Sequence, residues 1–391
     1  MRSQPRFHSV DHAQHLAKRR VPRSVYRYIE GGTEDEYTVR ANRAAFAEVT
    51  FNPRAAVLHD QRDTRTTVVG QELALPVVLA PAGYIRLAHR DGEVGAARAA
   101  GAMGTAVGVS TLSYYPIETV AAASTGPVWY QLYFAGGRPG AEIAIERAQA
   151  AGCRALIVTV DLAAAAGRER ALRGGVIPQR VTLKNALSYA PELVVRPRWL
   201  YDFARDGLRL DVPNVRADRD SPPLSAAAAS RSMRKAAPTW SDFGWIREQW
   251  TGPIIVKGIL NRDDARRAVD CGADAIVVSN HGGNALDGTP ATLGLLPRIV
   301  DAVGSDVEVL VDGGIRRGVD AVKAIALGAR AVLVGRAYIW GLAAGGSEGV
   351  ERVLTLFKDG IERTLALLGC PSVTALDRSY VDAPRLWMGD K

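Results

Sequence analysis

Eight short apolar runs recur along this chain, at 75–80, 105–110, 128–133, 155–161, 253–258, 275–278, 307–312 and 331–336. None alternates apolar with polar residues. Alternation marks a strand with one wet face, so unbroken apolar runs predict strands buried on both faces, as in a parallel sheet. Helix-like stretches separate most of them. Four joins share one form, a small-residue helix, a glycine and then a strand, at Gly104, Gly152, Gly272 and Gly328. A glycine just past a helix end is the usual left-handed cap. Repeated helix–strand units imply parallel crossovers, and eight of them predict an α/β fold of the closed (β/α)8, or TIM, barrel type. A doubly wound open sheet is the alternative.

Residues 1–65 read as a helical extension, with helical composition at 10–20, 24–29 and 38–46, and residues 66–391 as the barrel. The spacing breaks once, after the fourth strand, where 185–240 is expected to be a lid or interaction segment. It holds Arg196-Pro-Arg-Trp199, the polar run 216–220 and the low-complexity 226–229. Its arginines fit either a weak membrane-surface contact through 187–236 or a basic solvated loop. The net charge of +8 allows an anionic lipid, a nucleic acid or an acidic ligand. With no zinc-finger spacing and no long basic arm, neither nucleic acid nor metal is expected. Cys153, Cys271 and Cys370 are few and far apart, which suits a reducing cytoplasm. No run of about 18 apolar residues is present to span a bilayer, and the N-terminus lacks the apolar core of a signal peptide.

A barrel gathers the carboxyl ends of its strands at one mouth. There the sequence places Ala80-Pro81-Ala82, Ser110, Gln131 with Tyr133, Thr159 with Asp161, Lys257, Ser279 with His281, Asp312, and Gly335-Arg336. His281, beside two glycines, is a candidate base, although a hydrogen-bonded loop histidine reads equally well. Lys257 ends an apolar strand and needs an anionic partner, because an unpaired buried charge is costly. Asp312-Gly313-Gly314-Ile-Arg316 and Gly335-Arg336 follow strands seven and eight, where this fold recurrently holds phosphate. No Gly-x-Gly-x-x-Gly turn opens an early unit, which argues against a nicotinamide dinucleotide. Flavin mononucleotide (FMN) and pyridoxal phosphate both satisfy the residues.

The motifs Ser279-Asn-His-Gly-Gly, Asp312-Gly-Gly-Ile-Arg-Arg-Gly and Leu327-Gly-Ala-Arg-Ala-Val-Leu-Val-Gly-Arg336 resemble the FMN-dependent 2-hydroxy-acid oxidase/dehydrogenase family, which includes glycolate oxidase, lactate dehydrogenase and mandelate dehydrogenase. Val25-Tyr-Arg-Tyr28, Gln131-Leu-Tyr133, Thr159-Val-Asp161, Gly167-Arg-Glu169 and Ile255-Val-Lys-Gly258 follow in that family's order. The resemblance covers nearly the whole chain. It implies that His281 takes the substrate's proton, that Asp161 orients the imidazole, and that Lys257 sits beside the flavin's N1/O2 edge. It places Tyr28, Tyr133 and Arg168 on the substrate. Ala80, Pro81, Ala82, Ser110, Gln131, Thr159 and Ser279 then hold the isoalloxazine and ribityl parts, while Asp312, Gly313, Gly314, Arg316, Gly335 and Arg336 surround the phosphate end. It also implies a homotetramer, with oxygen, a quinone or another protein taking the electrons.

One departure stands out. After His-Gly-Gly the hydroxy-acid enzymes carry an arginine for the substrate carboxylate, and this chain has Asn284. Exchanging that planar cation for an amide removes a charge-assisted pair. Leu112 stands where an aromatic residue is common, and four alanines at 163–166 would widen the pocket and signal another substrate. His-Gly-Gly-Asn284 with Leu286-Asp-Gly-Thr-Pro290, Val212-Pro-Asn214 and Pro238-Thr-Trp-Ser-Asp242 resembles one subgroup, the pre-mycofactocin synthases. That likeness implies oxidative deamination of a peptide-derived aminolactam. An ordinary L-2-hydroxy-acid oxidase or dehydrogenase is the alternative.

Overall fold

The computed structural model describes residues 7–164, 167, 169, 191–205 and 211–388. Eight parallel strands close into a barrel: β1 Val77–Leu79, β2 Val107–Ser110, β3 Val128–Leu132, β4 Ala155–Thr159, β5 Ile254–Ile259, β6 Ala275–Val278, β7 Glu308–Asp312 and β8 Ala331–Val334. Neighbours in sequence are neighbours in the sheet, and Val332–Val334 of β8 pairs with Val77–Leu79 of β1 to seal the ring. All eight expected runs are strands of this barrel, and the open-sheet alternative falls.

The unbroken apolar pattern has a direct cause. Alternate residues point to opposite faces of a strand. One set, Val78, Trp129, Ile157, Ile255, Val277, Leu310 and Leu333, packs inside the barrel. The other, including Leu79, Val109, Leu132, Val158, Val256, Ile276 and Val334, packs under the helices. Both faces are dry, so each buried Val, Leu or Ile contributes about 2 kcal/mol of apolar burial. A hairpin of Thr66–Val68 and Gln71–Leu73 places Val68 and Leu73 against the interior set.

Three helices precede the barrel, α1 Val10–Arg20, α2 Arg23–Glu30 and α3 Tyr37–Glu48. The helix after β8, α4, spans Arg336–Leu368 as two segments that meet at Gly345–Gly346. Gly346 has φ +64, and any β-carbon there would strike the Asp91 carboxylate, which accepts from the Ser347 N–H that opens the second segment. Val10, Ala13 and Ala17 of α1 are buried and join the cluster that holds α4. The described part of the insertion contains α5 Pro197–Arg205, a small strand pair (Asp211–Val212 with Leu224–Ser225) and α6 Ala226–Lys235. No helix among the described residues is long and apolar enough to cross a membrane.

Candidate active site

Counting by twos along each strand from the interior set leads to the mouth. From Val78 the count reaches Ala80, from Trp129 Gln131, from Ile157 Thr159 and then Asp161. On the other side Ile255 leads to Lys257, Val277 to Ser279 and then His281, Leu310 to Asp312, and Leu333 to Gly335. The polar residues singled out in the sequence therefore share one register, and the barrel points them at one chamber.

His281 sits just beyond β6 with φ +57, and Gly282 and Gly283 continue in the left-handed region. For a residue with a β-carbon this conformation costs roughly 1–2 kcal/mol. The N-terminal extension offsets it. Thr33 donates from its N–H (3.0 Å) and hydroxyl to the Gly283 carbonyl, and His281 N–H donates 3.1 Å to Ser279 Oγ. The imidazole Nδ1 lies 3.0 Å and 3.2 Å from the two oxygens of Asp161. A carboxylate can only accept there, so Nδ1 carries the hydrogen and Nε2 is left as a base. Asp161 can come this close because Gly258, at φ +113, has no β-carbon: one would lie 2.7 Å from Asp161 Cβ.

Lys257 is 3% exposed. Its ammonium donates 2.8 Å to Ser279 Oγ and sits 3.0 Å from Asp312 Oδ2. Burial opposes its charge, but Asp312 and then Asp161 outweigh burial and hold its pKa above the ordinary lysine value. Burial likewise opposes ionisation of Asp161, yet His281 and then Lys257 keep its carboxyl below the usual range. The centre is a buried relay of two anions and one fixed cation.

Four atoms at the mouth test whether a flavin fits. Gln131 Nε2, Thr159 Oγ1, Asp312 Oδ1 and Asn284 Oδ1 are buried and find no hydrogen-bond partner among the described residues. Buried polar groups are normally satisfied. The pyrimidine edge of an isoalloxazine, with carbonyls and an N–H in sequence, meets Gln131 and Thr159. Ser110 Oγ donates 3.1 Å to Gln131 Oε1 and fixes the amide with its NH2 free. The phosphate end fits too. Arg316 is 9% exposed, its guanidinium lies 4.7 Å above the Trp340 ring, and its bonded acceptor is its own Ile315 carbonyl. Burial, then Arg336 and Arg43, push its pKa down to about 9. Gly313 and Gly314, just before it in the chain, hold φ +99 and +80. FMN suits this donor set.

The remaining expected residues divide. The Ala80 N–H donates to Val334 O and its carbonyl accepts from Tyr338, which anchors Ala80-Pro81-Ala82 at the rim. Tyr133 OH stands 3.5 Å from His281 Nε2, and Tyr28 joins the same aromatic group through Tyr84 at 6.2 Å. The Arg336 guanidinium donates to the carbonyls of Ile29, Gly31 and Gly282, so that side chain clasps the extension to the His281 loop. Arg168 lies outside the described residues. Residues the sequence reading passed over support this loop from the extension. Asp287 accepts from the Tyr37 and Thr38 N–H groups that open α3, and Asn42 pairs reciprocally with Asn280 at 2.8 Å and 3.0 Å. An Asp-Gly pair ordinarily marks a turn, and nothing in the local sequence at Asp287 announces a helix cap.

Comparison with known proteins agrees with this geometry. The family model "FMN-dependent dehydrogenase" matches residues 17–383. The chain is 47% identical over 387 residues to a pre-mycofactocin synthase of Mycobacterium tuberculosis, covering 98% of this chain and 96% of that one. It is 41% identical over 359 residues to an L-lactate dehydrogenase of Pectobacterium atrosepticum, covering 91% and 92%. A crystal structure of the monotopic membrane protein (S)-mandelate dehydrogenase superimposes with a TM-score of 0.89 at 37% identity, covering 97% of this chain and all of that one.

Proposed function

Because this chain belongs to the FMN-dependent dehydrogenase family, we propose that it oxidises the amine-bearing carbon of a peptide-derived aminolactam, as the resemblance to pre-mycofactocin synthases implies. The observation that carries the reading is Asn284. Its amide donates 3.0 Å to the His281 carbonyl, and its Oδ1 is buried with no partner among the described residues. A substrate carboxylate would meet oxygen there, whereas a lactam or amine N–H finds an acceptor.

FMN, when bound, would supply the acceptor for the hydrogen and electron pair of the amine-bearing carbon, which leaves an imine. The chain's residues do the rest. His281 Nε2 accepts the proton from the substrate's amine, and Asp161 stabilises the resulting imidazolium through Nδ1. Lys257 keeps positive charge at the mouth throughout, because Asp312 and Asp161 hold it protonated. Water then releases ammonia and leaves the keto-lactam. Gln131, Thr159, Ser110, Ser279 and the Ala80–Ala82 rim would hold the ring, and Arg316 with the Gly313–Gly314 and Gly335–Arg336 amides the phosphate. Tyr28, Tyr133 and Arg168 would orient the substrate.

The decisive assay offers the FMN-loaded enzyme an aminopyrrolidinone beside lactate, mandelate and glycolate. Bleaching of the flavin by the aminopyrrolidinone is expected, and rapid turnover of a hydroxy acid would overturn the substrate class. Asn284→Arg should raise hydroxy-acid turnover by about tenfold or more, the worth of one charge-assisted pair. We place the enzyme in the cytoplasm on its three free cysteines, as a homotetramer that returns electrons to oxygen, a quinone or a protein acceptor. A weak membrane-surface contact is proposed for the insertion, where Val194, Val195 and Tyr201 are exposed beside Arg196 and Arg198. Sizing by light scattering and vesicle co-sedimentation test these two proposals.

A further inference from the structure

Tyr84 belongs to no motif singled out above, yet it occupies an unusual place. It follows the Ala80–Ala82 rim and Gly83, and it holds φ +64, a backbone state that a β-carbon disfavours. Its N–H donates 3.1 Å to the Leu112 carbonyl, which fixes the turn against the loop after β2. The ring then projects into a group of phenols, 5.1 Å from Tyr114 and 6.2 Å from Tyr28. Its hydroxyl lies 3.3 Å from Ser230 Oγ, and Ser230 belongs to the insertion helix α6.

That helix carries one apolar stripe at helical spacing, Ala226, Ala229 and Met233, with Ser230 inside the same stripe. Ala226 and Ala229 are 7% and 0% exposed, and they pack with Leu112, Tyr133 and Ala135 of the mouth. The alanine run is thus a close-packing face. A second tie lies one step on, where the Gly136 N–H donates 2.7 Å to Ser232 Oγ. Burial and the neighbouring Tyr28 raise the Tyr84 pKa, so the phenol stays protonated and can donate to Ser230.

We propose that Tyr84 is a specificity-determining positioning residue, which lines the substrate chamber with its ring and fixes α6 over the mouth through Ser230. The insertion, rather than the barrel, then sets how wide the chamber is. The inference rests on the substrate-chamber reading given above. Donors compact enough to fit beneath α6 are accepted, and bulkier ones are excluded by the helix and not by a missing contact.

The test uses the full-length FMN-loaded enzyme with Tyr84→Phe, Ser230→Ala and the double variant. The first readout is deuterium uptake across 226–235, which needs no substrate. Either single change should raise uptake, and the double change should add nothing further. The second is steady-state kinetics with whichever donor of the panel bleaches the flavin. KM should rise about fivefold, the worth of one neutral hydrogen bond, with a smaller fall in kcat, and kcat/KM should shift towards bulkier donors. Unchanged uptake in Tyr84→Phe, or effects that add in the double variant, would overturn the proposal. If no donor bleaches the flavin, the catalytic reading fails, while the exchange data still decide the role of Tyr84.

Discussion

His281 and Asp161 form a pair whose geometry assigns the proton. With Nδ1 committed to the carboxylate, the base has a single open nitrogen, and losing either partner should separate chemistry from cofactor binding. His281→Gln is expected to keep the yellow cofactor while losing about a thousandfold in the rate at which substrate bleaches it. Asp161→Asn should lose about a hundredfold or more, since the tautomer is then no longer dictated. Stopped-flow absorbance reads both, and bleaching at the native rate in His281→Gln would remove the histidine from the mechanism. Lys257 enters differently. Its folded-state pKa is raised, so its contribution to stability is fully present below the ordinary lysine value of 10.5 and is lost only as pH climbs through the raised value. Across neutral pH its charge at the mouth is constant.

At the scale of elements, the strands were readable and their supports were not. A run such as 275–278 is apolar at every position because each side chain lies against the barrel interior or a helix, and that demand leaves a plain trace in sequence. The mouth residues were legible for the same reason, since polarity at the end of such a run has few structural explanations. The clasp of Arg336 on Ile29, Gly31 and Gly282 left no trace, because a carbonyl acceptor is available from any residue type. Tyr84 was hidden likewise, because its proposed role depends on Ser230, 146 positions away. Gly258 shows how an element ending can serve chemistry. Gly258→Ala would drive a β-carbon into Asp161, and a displacement of about 1 Å typically slows an oriented reaction on the order of a hundredfold. The expected result is a folded, yellow, slow enzyme; native single-turnover bleaching would show that Asp161 tolerates displacement.

At the scale of the whole molecule, Arg316 is buried with Arg336 and Arg43 near enough to lower its pKa, while Arg43 itself pairs with Asp320 at 3.0 Å. In the proposed placement the phosphate of FMN would bring counter-charge to Arg316, so cofactor and fold should be thermodynamically linked. FMN at a hundred times its dissociation constant would stabilise the protein by about 2.7 kcal/mol, visible as a higher melting temperature than that of the stripped protein. Arg316→Met should weaken FMN binding about ten- to a hundredfold and shrink that gap. An undiminished gap would place the phosphate elsewhere.

The union of the first fifty residues with the His281 loop has a practical corollary. Thr33, Asn42 and the carbonyls of Ile29 and Gly31 act as shims behind a loop that is strained by design. Trimming the chain to a tidy minimal barrel would bare the core surface that Val10, Ala13 and Ala17 cover and leave the histidine at the wrong angle. The amino-terminal arm is machinery, and tags or fusions placed there inherit that sensitivity.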